Sequence, residues 1–180
     1  MAVSATMPTA GSTKRPLPIT LLAGYSLLIG VVTGIPQLYY VLFAINRGAF
    51  PIGPDANFLG ALWYNYILGG HQRGSLPVDG GILTVAIADI FLLSPLYLAT
   101  GIGLLRLRSW VYTIGLITGA MGLYSLLSFF LSDILGKTSF DQTDFIATLL
   151  SAVPYVAFDV WLLATLPLHR ARFAPRGEGA

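Results

Sequence analysis

The chain has no cysteine. That excludes a thiol-based quinone oxidoreductase, a structural disulfide and a cysteine-ligated metal or cluster. Histidine is scarce too, with His71 and His169 the only two, so a metal site built of His and Asp is not expected. Charged side chains make up only 10% of the residues, where a soluble domain carries about a quarter. The formal net charge is +2, which gives no support to nucleic-acid binding. There is no phosphate-binding loop, nucleophile elbow, H-E-x-x-H or dinucleotide fingerprint. Gly101-Ile-Gly103 lies inside an apolar run and has no phosphate-binding context. No convincing internal repeat is visible, and no cofactor is expected.

What the chain has instead is apolar residues, 55% of its 180, in long runs between clustered charges. About 20 apolar residues suffice to cross a bilayer core roughly 30 Å thick. The pattern predicts an all-α membrane protein, a bundle of four transmembrane helices over about 17–45, 82–105, 110–131 and 145–168. Residues 1–16 read as a disordered cytoplasmic tail, and 169–180 as a basic cytoplasmic tail. A signal peptide is the competing reading of the start. The run from Leu17 is longer than a signal peptide's apolar core of about 7–15 residues, and no clear cleavage site follows it. The outer loop, 46–81, is rich in Gly and Pro and contains one apolar patch, Phe58–Leu68, too short to span. That patch predicts a folded cap, with Trp63, Tyr64 and Tyr66 at headgroup depth.

Counting Lys and Arg orients the spans. Lys14, Arg15, Arg106, Arg108, Arg170, Arg172 and Arg176 lie on one side, and Arg47, Arg73 and Lys137 on the other. The richer side is cytoplasmic by the positive-inside rule, so both termini are expected there, in a membrane that composition suggests is a bacterial inner membrane.

Two carboxylates fall within spans, Asp89 and Asp159. An Asp at the bilayer centre costs roughly 2.5–3.5 kcal/mol on insertion scales, so such a residue usually faces the protein interior and marks a functional path. The alternative is an Asp that only hydrogen-bonds a neighbouring helix or sits near the interface. Thr148, Ser151, Tyr155 and Asp159 share one face of the fourth span, and Asp89, Leu96 and Thr100 share one of the second. Thr118, Ser125, Ser128 and Ser132 align loosely in the third. For the hydroxyls alone, interhelical hydrogen bonding worth about 0.6 kcal/mol each is the preferred reading. Pro36 removes a backbone donor and kinks the first span, Pro95 and Pro154 each free a backbone carbonyl that needs a partner, and Gln37 adds a polar wall beside the first kink. Gly30 and Gly34, and Gly115 and Gly119, offer close-packing faces, which also make a homodimer through glycine-rich faces conceivable.

The layout resembles the EXPERA family, the emopamil-binding sterol isomerases and the sigma-2 receptor. Gly34-Ile-Pro36 matches an Ile-Pro pair in the first helix of sigma-2-like members. Trp63-Tyr64 matches a Trp-Tyr in their first loop. Asp89-Ile-Phe-Leu-Leu-Ser-Pro95 looks like their acid followed six positions later by proline, and Pro154-Tyr155 like a Pro-Tyr pair in the fourth span. The acid of their first span falls at Leu42 here, and their loop acid at Gly70, beside His71.

The resemblance implies a cavity among four spans that takes a membrane lipid or apolar small molecule, sterol- or isoprenoid-like. It also implies acid–base double-bond isomerisation, with Asp89 and Asp159 as proton donor and acceptor. Gln37, Trp63, Tyr64, His71, Thr100, Tyr155 and Trp161 are the expected ligand contacts, the aromatic faces stabilising a carbocation. Two other readings stay open. One is a small proton-coupled transporter or channel using the same acids. The other is a noncatalytic membrane partner or chaperone using its glycine faces.

Overall fold

The structure is a computed structural model that describes residues 15–46, 49–53, 55–64, 80–135 and 142–173. Among these, all regular structure is helical and there is no strand. Helix α1 is Leu17–Ile45 and the short α2 is Phe58–Leu62. Helix α3, Gly80–Ala88, passes through a π-helical turn, Asp89–Leu93, into α4, Ser94–Leu105. Helices α5, Val111–Leu135, and α6, Gln142–Leu168, follow, and a 3-10 turn, Arg170–Phe173, closes the described chain.

Among the described residues, three helical stretches are long and apolar enough to cross a membrane: Leu17–Ile45, Leu83–Leu105 and Val111–Ser128. In α6 the comparable apolar segment, Ala152–Leu168, is shorter. At 1.5 Å per residue, the 29 residues of α1 reach roughly 43 Å, longer than a bilayer core, so tilt or a protruding end follows. The outward surface is what lipid favours. On α1 it carries Leu21, Leu28, Val31, Ile35 and Leu38, and on the π turn Phe91, 77% exposed. In water, so continuous an apolar exterior would be a large liability.

Helix α1 packs chiefly along α4, α6 along α5, and α4 against α5, while α1 also touches α6. Glycines set the close approaches. A Cβ on Gly30 would overlap Leu98, and one on Gly34 would overlap Ser94. Gly115 and Gly119 seat Leu166 and Leu163 in the same way. Both glycine faces are thus occupied by helices of the same chain.

The interior divides into two apolar ends and a polar waist. One end gathers Ile19, Leu22, Leu104, Val111, Leu166 and Phe173. It carries a basic rim, where the Arg15 guanidinium donates to the Leu105 carbonyl and Arg170 lies 5.7 Å from the Tyr112 ring centroid. The connection to α5 is tight. Arg108 N–H donates to Gly103 O and Leu107 N–H to Leu104 O, with Leu107 left-handed at φ 49°. Leu107 packs on the core and leaves Arg106 and Arg108 exposed.

The other end gathers Tyr39, Tyr40, Phe43, Trp63 and Ala86. Here α2 folds back on α1. Asn57 caps α2 by accepting from Gly60 N–H at 3.0 Å, and its amide donates to the Tyr39 hydroxyl at 2.8 Å. Trp63 stacks on Tyr40 with centroids 4.1 Å apart and gives its indole N–H to the Pro36 carbonyl. The Trp63 side chain is therefore fully enclosed. Its ring satisfies both its packing and its single donor inside the protein.

Candidate functional site

Between the apolar ends lie the buried polar groups: Ser26, Thr33, Gln37, Asp89, Ser94, Thr100, Thr118 and Asp159. Their placement begins with the π turn. Pro95 has no N–H to close an α-helical bond, and Ser94 N–H reaches back five residues to the Asp89 carbonyl. Such a turn inserts one extra residue into the helix. In an unbroken α-helix, positions 89 and 97 would point about 80° apart at roughly 100° per residue. With the insertion they fall on nearly one face, and both Asp89 and Tyr97 are buried.

Asp89 is 8% exposed and accepts from Gln37 Nε2 at 3.2 Å. Gln37, 7% exposed, sits one residue beyond the α1 proline that Trp63 ties down. The other end of its amide, Oε1, has no hydrogen-bond partner. A buried acceptor left unpaired costs roughly 1–3 kcal/mol, so this atom stands out among the buried side chains of the described residues.

Asp159 is fully enclosed. The Tyr97 hydroxyl donates to its carboxylate, 2.9 Å from Oδ1 and 3.1 Å from Oδ2. Gly122 of α5 closes the third side, and a Cβ there would overlap both Asp159 Oδ2 and the Tyr97 hydroxyl. The pair therefore joins α4, α5 and α6. The two carboxylates have different partners, and Tyr97 lies eight residues along the rod from Asp89, a rise of about 12 Å.

Tyr155 connects the waist to the surface. It is half-buried and its hydroxyl faces Thr33. It also lines an apolar groove of about 180 Å³ between α1 and α6, formed with Tyr25, Leu28, Ile29, Val32 and Pro154.

The remaining expected contacts are dispersed. Thr100 is buried in a 2.8 Å hydrogen bond with Thr118 that joins α4 to α5. Trp161 lies on the outer face of α6, and Tyr64 is half-buried beside Trp63. His71 lies outside the described residues, as do Arg47, Arg73 and Lys137, and the side chains of Thr148, Ser151 and Ser132 are likewise outside them. Among the described residues no three His, Cys, Asp or Glu side chains converge as a metal site would require.

Compared with known families, characterised proteins and solved structures, the chain finds no match. Function has to be read from the site's own chemistry. Tyr97, Thr33 and Gly122 are the parts that sequence reasoning missed. Pro95, six residues after Asp89, was the signal for Tyr97, since it forecasts the broken register that brings residue 97 and not residue 96 inward.

Proposed function

We propose that this is a multi-pass membrane protein whose four long helices cross the bilayer with both ends cytoplasmic, and that its waist binds the polar end of a sterol- or isoprenoid-like molecule. The carrying observation is the combination of the buried Gln37–Asp89 pair with the apolar groove that Tyr155 shares. The groove opens between α1 and α6, on the face that meets lipid. At about 180 Å³ it is smaller than a typical drug-sized pocket of roughly 300–1,000 Å³. It therefore suits one segment of an elongated molecule whose remainder lies in the bilayer. The likeness to the EXPERA layout points to the same class of ligand.

The test is mass spectrometry of lipids retained after gentle solubilisation, comparing wild type with Val32→Trp, which fills the groove from its lipid side. We expect one neutral lipid class enriched over the host membrane and depleted in the variant. Bulk membrane lipids in bulk proportions from both proteins would refute the reading.

A second reading, acid–base isomerisation, draws on the hydroxyl–carboxylate pair of Tyr97 and Asp159. One carboxylic acid would give its proton to an alkene carbon. A carboxylate would then take a proton from a neighbouring carbon, moving the double bond with no net gain or loss of atoms. Turnover of a bound unsaturated lipid that survives Asp159→Asn unchanged would remove Asp159 from that role.

A further inference from the structure

Arginine is gathered along one short stretch of the surface. The connection between α4 and α5 leads from Leu105 to Tyr112, and contacts bring two distant arginines to its ends. Arg15, just before α1, donates to the Leu105 carbonyl. Arg170, in the turn after α6, lies with its guanidinium 5.7 Å from the Tyr112 ring centroid. Between them the connection itself carries Arg106 and Arg108, both exposed. Leu107 holds these two in place. Its backbone is left-handed at φ 49°, a conformation disfavoured for a residue with a Cβ. Its side chain packs on the core, and the Arg108 N–H closes onto the Gly103 carbonyl at 3.1 Å. The carboxylates whose side chains are described lie elsewhere: Asp55 beside α2 at the opposite end, and Asp89 and Asp159 in the waist. Leu17, Trp110 and Leu168 add exposed apolar surface at the arginine end.

We propose that Arg106 and Arg108, flanked by Arg15 and Arg170, hold the phosphate of an anionic diacyl phospholipid, whose chains run down the apolar surface that Leu17, Trp110 and Leu168 begin. This needs the membrane placement of the helices but not the ligand of the α1–α6 groove. A guanidinium is a planar fork of five N–H donors that pairs two phosphate oxygens at once. The Leu105 carbonyl takes one donor of Arg15, and the Tyr112 ring meets the face of Arg170, so both keep donors for the headgroup. A zwitterionic headgroup suits the rim less well, because its ammonium adds positive charge where no described carboxylate answers it. A soluble phosphate would use the arginines alone, whereas a lipid also covers the leucines and the tryptophan, at the depth where aromatic side chains meet the headgroup layer.

The test titrates the full-length protein in dodecyl maltoside micelles with dioleoyl phosphatidylglycerol or dioleoyl phosphatidylcholine and counts bound lipid by native mass spectrometry. Each arginine near an anionic lipid surface strengthens binding about fivefold. Wild type should therefore bind phosphatidylglycerol at least about tenfold more tightly than phosphatidylcholine, and the preference should shrink as salt is raised. In Arg106→Gln/Arg108→Gln it should fall below about threefold. Arg47→Gln/Arg73→Gln removes the same charge from the loop 46–81 and should leave the preference unchanged. A wild type that binds both lipids alike refutes the site. An equal loss in the two double variants refutes it too, since net charge would then be the cause. Displacement of phosphatidylglycerol by an equal concentration of glycerol 3-phosphate would make the ligand a soluble phosphate and overturn the lipid assignment. None of these outcomes bears on the groove, which the Val32→Trp comparison decides separately.

Discussion

Gly122 offers the sharpest test of the Tyr97–Asp159 junction. In Gly122→Ala the new methyl group has no room, because it overlaps both Asp159 Oδ2 and the Tyr97 hydroxyl. Either α5 moves away from α4 and α6, or the hydroxyl leaves the carboxylate. Overpacking a tight interior costs roughly 1–3 kcal/mol, and a hydrogen bond to a charged group contributes about 1.5–3 kcal/mol. Because these are alternatives, the expected loss is about 1–3 kcal/mol. For a chain of this size, about 2–4 °C per kcal/mol applies, which predicts a Tm lower by roughly 2–12 °C in detergent. The decisive assay is a cycle with Tyr97→Phe, which removes the hydroxyl that the methyl would strike. In the Tyr97→Phe background, Gly122→Ala should cost at least about 1 kcal/mol less than in wild type, since contacting residues do not act additively. A Tm unchanged by Gly122→Ala, or strict additivity in the cycle, would refute the geometry of the junction.

Three further outcomes are expected. Trp63→Phe keeps the stack on Tyr40 and loses one hydrogen bond, for about 1 kcal/mol, whereas Trp63→Ala should cost roughly 3–5 kcal/mol and expose α2 to limited proteolysis. Thr118→Val removes the Thr100–Thr118 bond and should lower stability by only about 0.6 kcal/mol, near the resolution of a denaturation series. The cysteine-free background makes topology direct to measure: in the proposed orientation, Ser109→Cys is labelled by an impermeant maleimide from the cytoplasmic side only and Ala56→Cys from the opposite side only.

The helical runs were legible because apolar stretches interrupted by clustered charge leave little choice of structure. The close-packing roles of Gly30, Gly34, Gly115 and Gly119 were legible for a similar reason, because glycines at i, i+4 on an apolar face invite a neighbour. Which neighbour was not legible, since Leu98, Ser94, Leu166 and Leu163 belong to other helices and only packing chooses among them. The face of the second long rod was misassigned by one residue. A constant 3.6-residue period joins Asp89 to Leu96, whereas the π turn before Pro95 joins it to Tyr97. Asp159 and Asp89 were picked out as buried acids from their cost in lipid. Their separation into a sealed junction and a pair with an unmet acceptor depended on contacts between residues far apart in the chain.

The contacts between α1 and the α3–α4 rod have one more consequence. Ser26 meets the Tyr97 carbonyl, Ser94 meets the Gly30 carbonyl, and Gln37 meets Asp89, like three teeth along a key. Between helices in lipid there is no hydrophobic force to resist sliding, because a leucine that leaves its neighbour finds hydrocarbon just as apolar. These polar teeth, with the close contacts at Gly30 and Gly34, index the two rods. A slip of one turn disengages all three at once, so the pair is expected to move as a unit or not at all.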